Sequence, residues 1–127
     1  MWQLAENPEL LAMLKADPSL IPGFVEETIR WATPVQQFVR SATQDYAIKG
    51  RTIKKGDLIY LSYLSANRDE DAFEDPFRFD PLRSPNRHVG FGFGGHTCLG
   101  IHLARMEMIV TWEATIPRLK SVAPTGT

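Results

Sequence analysis

The sequence has a single cysteine, Cys98, so no disulfide can form within the chain, and stability has to come from burial, a ligand or a partner. It has no stretch approaching the roughly 18 to 20 consecutive apolar residues of a membrane span. The opening Met1-Trp2-Gln3-Leu4-Ala5-Glu6 lacks the basic and apolar regions of a signal peptide, and the expected location is cytoplasmic, away from any membrane. Charge of one sign is also missing. Fourteen Lys and Arg against fifteen Asp and Glu leave a net charge of −1, so no bulk positive field exists to hold nucleic acid. Internal repeats and low-complexity linkers are absent too, which predicts one unit over residues 1–127. With 43% apolar and 23% charged residues, that unit has the proportions of a globular chain rather than a disordered one.

Hydrophobic spacing divides the chain into stretches of different character. Residues 2–15 read as two short helices, broken at Asn7-Pro8, where proline suits a new first turn. Asp17-Pro18-Ser19 starts a longer helix over about 20–32, with Ile21, Phe24, Val25, Thr28, Ile29 and Ala32 at helical spacing and Thr33-Pro34 as its stop. From Val35 to Leu64 short extended runs alternate with the turns Lys49-Gly50 and Lys55-Gly56-Asp57, predicting a small antiparallel sheet. Residues 67–90 mix Pro76, Pro81 and Pro85 with Phe73, Phe77 and Phe79. Proline at that density forbids a long helix or central strand while the aromatics need packing, which predicts an ordered, irregular wrap. A last helix runs from Leu99 to about Ile116, with Leu103, Met106, Val110 and Ala114 on one face and Pro117 as its end. The fold class is therefore α+β, mainly helical.

The densest chemical signal is Gly90-Phe91-Gly92-Phe93-Gly94-Gly95-His96-Thr97-Cys98-Leu99-Gly100. Gly90, Gly92 and Gly95 spell the G-x-G-x-x-G of a pyrophosphate cradle, but that fingerprint needs an apolar strand ahead of it, and Ser84-Pro85-Asn86-Arg87-His88 is not one. His88, His96, Cys98 and His102 offer four zinc-type ligands, yet only His96-x-Cys98 and Cys98-x3-His102 are close in sequence. A cysteine opening a helix meets free amides and the positive end of the dipole, which suit a thiolate used as nucleophile or ligand. A buried, inert Cys98 is the plainest alternative, because free cysteine is often core. It leaves the glycines unexplained. Four of them between Gly90 and Gly95 each cost roughly 0.5 to 1 kcal/mol of backbone entropy relative to alanine, which fits a loop that something flat or anionic approaches closely.

Phe91, Gly94, Cys98 and Gly100 fill every fixed position of Phe-x-x-Gly-x-x-x-Cys-x-Gly, and the loop resembles the haem-binding loop of the cytochrome P-450 haem-thiolate monooxygenases. Glu27-Thr28-Ile29-Arg30 matches a second motif of that family, Glu-x-x-Arg on an interior helix. Asn67-Arg68-Asp69 and the aromatic run ending Phe79-Asp80-Pro81-Leu82-Arg83 resemble the region that precedes the cysteine loop in soluble bacterial members. Ile21 to Trp31 and Ser65 to Asp69 are also similar to terpene-hydroxylating members.

The resemblance implies the carboxy-terminal third of the cytochrome P-450 fold, binding haem b. Cys98 would be the proximal iron ligand, its thiolate pushing electron density toward iron to favour O–O cleavage. His96 and Arg40 would hydrogen-bond the anionic haem propionates, and Phe91, Gly92, Gly94 and Gly100 would shape the loop around the ligand. Pro34-Val35-Gln36-Gln37-Phe38 would line the substrate side, and Arg83 would join Glu27 and Arg30 in a buried charge network. The implied reaction is monooxygenation of a small hydrophobic substrate with NAD(P)H-derived electrons from a ferredoxin-type donor. The alternative is a non-catalytic haem-binding or interaction fragment. Family members are about three times this long, so Leu103, Met106 and Val110 are expected to lack packing partners here, which would favour self-association.

Overall fold

A computed structural model describes residues 1–124; the last three residues of the expected 1–127 unit lie outside the described residues. Helices α1 (Trp2–Glu6) and α2 (Pro8–Ala16) separate at Asn7, whose side chain accepts from the Leu10 amide at 3.3 Å while Pro8 fills the first turn. Asp17 repeats the device, accepting from the Ser19 amide at 3.0 Å ahead of α3 (Ile21–Ala32). Thr33 ends α3 in the left-handed region at φ 40. This β-branched residue is held there by burial, by its hydroxyl donating to Arg30 O at 2.7 Å, and by Asn67 Nδ2 donating to that hydroxyl at 3.0 Å.

The extended segment forms two separate two-stranded ladders rather than one sheet. Strand β1 (Gln37–Ser41) pairs antiparallel with β4 (Leu58–Ser62), with Phe38 opposite Leu61 and Arg40 opposite Ile59. Between them, β2 (Tyr46–Ile48) and β3 (Arg51–Ile53) form a hairpin. Its two turn residues, Lys49 and Gly50, both have positive φ, which matches the right-handed twist of the flanking strands. One turn of helix, α4 (Tyr63–Ala66), leads into the wrap, and α5 (Ile101–Thr115) closes the chain into the short 3-10 turn Ile116–Arg118.

The core joins α1, α2 and α3 to Ile116 through Leu4, Leu10, Leu11, Leu14, Ile21, Phe24, Val25 and Ile29. The Phe24 ring meets Phe79 of the wrap and Trp112 of α5 edge-on, at 5.9 and 5.2 Å between centroids. Helix α5 turns Met108, Ile109 and Trp112 toward this core, and none of its residues is fully buried. The face made by Leu103, Met106 and Val110 points to solvent, as the sequence predicts for a face whose covering is elsewhere.

Candidate functional site

Two charged constructions on α3 tie down the wrap and the cysteine loop that follows it. The first is buried: Glu27 and Arg30 have no accessible surface and form a two-pronged ion pair, Nε to Oε2 and Nη2 to Oε1, both at 2.7 Å. Arg30 spends its other donors on the wrap, reaching the carbonyls of Asn67 (2.7 Å), Pro76 (2.8 Å) and Arg78 (3.1 Å). Glu27 in turn accepts from the Asp80 amide at 2.9 Å and Asn86 Nδ2 at 3.0 Å, with Arg83 Nε at 3.3 Å. The expected third member, Arg83, is thus in place. In a chain segment with no regular hydrogen-bond ladder, one buried salt bridge bonds four backbone groups, the carbonyls of Asn67, Pro76 and Arg78 and the amide of Asp80.

The second construction is formed by residues far apart in sequence. Glu26 receives Arg105 of α5 on both oxygens, at 2.6 and 2.7 Å, and His88 Nε2 at 3.1 Å. Burial alone would raise the Glu26 carboxyl. The hydrogen bonds from His88 and Arg105, with the Arg105 charge, outweigh it and hold the group at about 2, against an ordinary 4.5. The same hydrogen bond raises Arg105. Sequence spacing marks His88 only as a zinc-type ligand and carries no signal for Glu26 or Arg105. Among the described residues no three His, Cys, Asp or Glu side chains gather to hold a metal ion, so the His88, His96, Cys98 and His102 set is not assembled.

The loop itself starts at Gly90, where a Cβ would lie 2.6 Å from Ile29 Cγ2, so only glycine lets the backbone pass this close to α3. The Gly92 amide donates to Val89 O at 2.8 Å, and Gly92 and Gly94 take left-handed backbone at φ 77 and 71. After the 3-10 turn Gly94–His96, the Cys98 amide donates to Phe91 O at 2.8 Å, closing the loop on its own base. Cys98 stands two residues ahead of Gly100, the N-cap of α5, rather than in the helix.

The thiol is exposed, which removes the buried-core alternative. It borders an open apolar pocket of about 470 Å³ walled by Ile29, Pro34, Val35, Phe38, Phe91 and Met108, with Tyr63 and His96 as polar members. Of the candidate residues, Cys98, His96, Phe91 and Gly92 meet in this wall. A Cβ on Gly100 would sit 3.9 Å from the sulfur, while one on Gly94 or Gly95 would meet nothing within 4 Å. Arg40 lies at the far end of β1, its guanidinium 5.5 Å from the Phe38 ring and donating to Val39 O. Tyr63, tilted against Phe38 at 5.7 Å, was not singled out from sequence. An accessible sulfur beside an apolar wall, glycines that leave the loop face open, and the outward rings and chains of Phe93 and Leu99 suit a flat apolar group held through sulfur.

The Cytochrome P450 family profile matches residues 16–125. The chain belongs to the cytochrome P450 family. It is 54% identical over 123 residues to Cytochrome P450-terp of Pseudomonas sp, covering 97% of this chain and 29% of the relative. It is 42% identical over 127 residues to Steroid C26-monooxygenase of Mycolicibacterium smegmatis, covering 99% and 29%. The crystal structure of CYP108D1 from Novosphingobium aromaticivorans superposes with a TM-score of 0.92 at 48% identity, covering 98% of this chain and 30% of that one. The chain therefore spans about 29% of the length of the curated relatives it matches, and its helices and ladders follow the P450 fold over that span. None of the helices among the described residues is long and apolar enough to cross a membrane.

Proposed function

We propose that this chain is the carboxy-terminal, haem-ligating unit of a cytoplasmic monooxygenase, with Cys98 as the sulfur ligand of haem b. The observation that carries the reading is the exposed Cys98 residue on the wall of the apolar pocket, in a loop that Gly94 and Gly95 leave open. When bound, the haem supplies the redox chemistry that puts one atom of dioxygen into a substrate C–H bond. The protein residues do the rest. His96, in the pocket wall, and Arg40, on β1, are the hydrogen-bond donors for the two propionates, whose charges are costly to leave unpaired in apolar surroundings. Pro34, Val35 and Phe38 keep water from the reacting side and select a small hydrophobic substrate. Electrons derive from NAD(P)H through a ferredoxin-type donor. The names of the relatives, a steroid monooxygenase among them, support oxidation of an apolar molecule.

The test is the ferrous carbon monoxide spectrum of the full-length protein. A red-shifted Soret band of the thiolate type is expected, and Cys98→His should abolish it. An unchanged spectrum in that variant would make the ligand assignment wrong. The alternative reading is a haem-binding unit without oxygen activation. Turnover of an apolar substrate with a surrogate reductase decides between the two.

A further inference from the structure

We propose that Glu26 is a positioning residue for the cysteine loop, acting through Arg105 and His88 on the Phe91 segment from which Cys98 hangs. The inference rests on reading Cys98 as a haem ligand, but its geometry does not involve haem. One carboxylate on α3 ties together α5, through Arg105, and the strand of chain entering the loop, through His88. The Gly90 amide donates to His88 Nδ1 at 3.1 Å, so Nε2 carries the ring proton and donates it to Glu26. The Phe91 ring lies between the two partners of Glu26, 5.1 Å from the Arg105 guanidinium and 6.0 Å from the His88 ring. The Phe91 carbonyl in turn accepts the Cys98 amide at 2.8 Å. Hydrogen bonds run from Glu26 to His88 and Arg105 and from the Cys98 amide to Phe91, and packing of the Phe91 ring joins the two ends.

The Glu27–Arg30 pair bonds the wrap between Asn67 and Asn86 and reaches the loop entrance only through Asn67, whose Oδ1 accepts the Val89 amide at 2.9 Å; it makes no contact with Phe91 or Cys98. The buried pair fixes the path of the wrap, and the Glu26 group fixes where the cysteine loop leaves it. With Gln at position 26, one carbonyl oxygen replaces two charged acceptors, and Arg105 and His88 compete for it. The Phe91 ring and backbone then gain freedom, and Cys98 with them.

Hydrogen exchange on the haem-loaded full-length protein tests this directly. In Glu26→Gln the amides of Gly90, Gly92 and Cys98 should exchange about tenfold faster or more, while those of Leu11 and Leu14 in α2 keep their wild-type rates. Arg105→Lys keeps the charge but loses the fork, and should show the same selective pattern more weakly. Its ferrous carbon monoxide spectrum should show part of the thiolate-type band lost. Uniform acceleration across α2 and the loop would mean Glu26 only stabilises the fold, and equal loop rates would mean it does not position the cysteine; either overturns the proposal. The haem reading fails separately, if the wild-type protein lacks the thiolate-type band. The exchange comparison is still readable in that case.

Discussion

Glu26 and Glu27 are neighbours in sequence but serve different supports, because successive residues on a helix point about 100° apart. Glu27 faces inward, where its charge is matched by Arg30 and its remaining lone pairs by the wrap. Removing one partner of such a pair leaves a buried, uncompensated charge. Arg30→Ala is expected to cost about 3 to 5 kcal/mol in denaturant unfolding, with the wrap amides losing protection first. Glu26 is partly exposed and titrates lower than an ordinary carboxylate, at about 2 against 4.5. Its contribution is complete above about pH 4.5 and is lost as pH falls toward 2. After discounting for solvent access, that contribution is about 1 to 2 kcal/mol. A stability profile across that acid window should slope in the wild type and flatten in Glu26→Gln; parallel profiles would show that Glu26 does not carry the slope.

At the scale of elements, the caps, the breaks at Asn7-Pro8 and Thr33-Pro34, the hairpin turn at Lys49-Gly50 and the Glu27–Arg30 pair were legible, because each is a local pattern or a motif at fixed spacing, whereas Arg83, 56 residues from Glu27, was legible only through the family resemblance. The division of the extended region into two ladders was not. Strands of three to five residues carry too little alternation to reveal their partners, and β1 reaches β4 only around the intervening hairpin. The Glu26–His88–Arg105 group was hidden for a similar reason, since its members are 62 and 79 residues apart and share no spacing rule. One contact between elements has an unusual sign. In a helix, glycine to alanine ordinarily gains about 1 kcal/mol, yet a Cβ on Gly23 of α3 would lie 2.4 Å from the backbone oxygen of Pro81. Gly23→Ala should therefore destabilise by about 1 to 3 kcal/mol, read as a lower thermal midpoint, because α3 and the wrap must part.

For the whole molecule, the decisive asymmetry is between the two faces of α5. One packs Met108, Ile109 and Trp112 on the core, and the other presents Leu103, Met106 and Val110, each more than half exposed, beside a fully exposed Leu99. An apolar strip of that kind is sticky in water. Expressed as residues 1–127 alone, the chain should sediment as associated species, and replacing Leu103 and Met106 by serine should return it to monomer. A compact wild-type monomer would contradict this. Period 3.6 marked the strip as one face, and its exposure followed only from the resemblance to a family about three times this long, since periodicity does not say which side meets the core.

Glu27, which braces the wrap, and Glu26, which braces the loop, both sit on α3, and α3, the wrap, the loop and α5 all belong to these 127 residues. The cysteine therefore travels with its own scaffolding. Exchanged as a cassette into a related P450, the segment would bring the anchors set by Glu26 and Glu27 along, and the apolar strip of α5 would have to be matched in greasy contacts, which tolerate substitution far better than paired charges do.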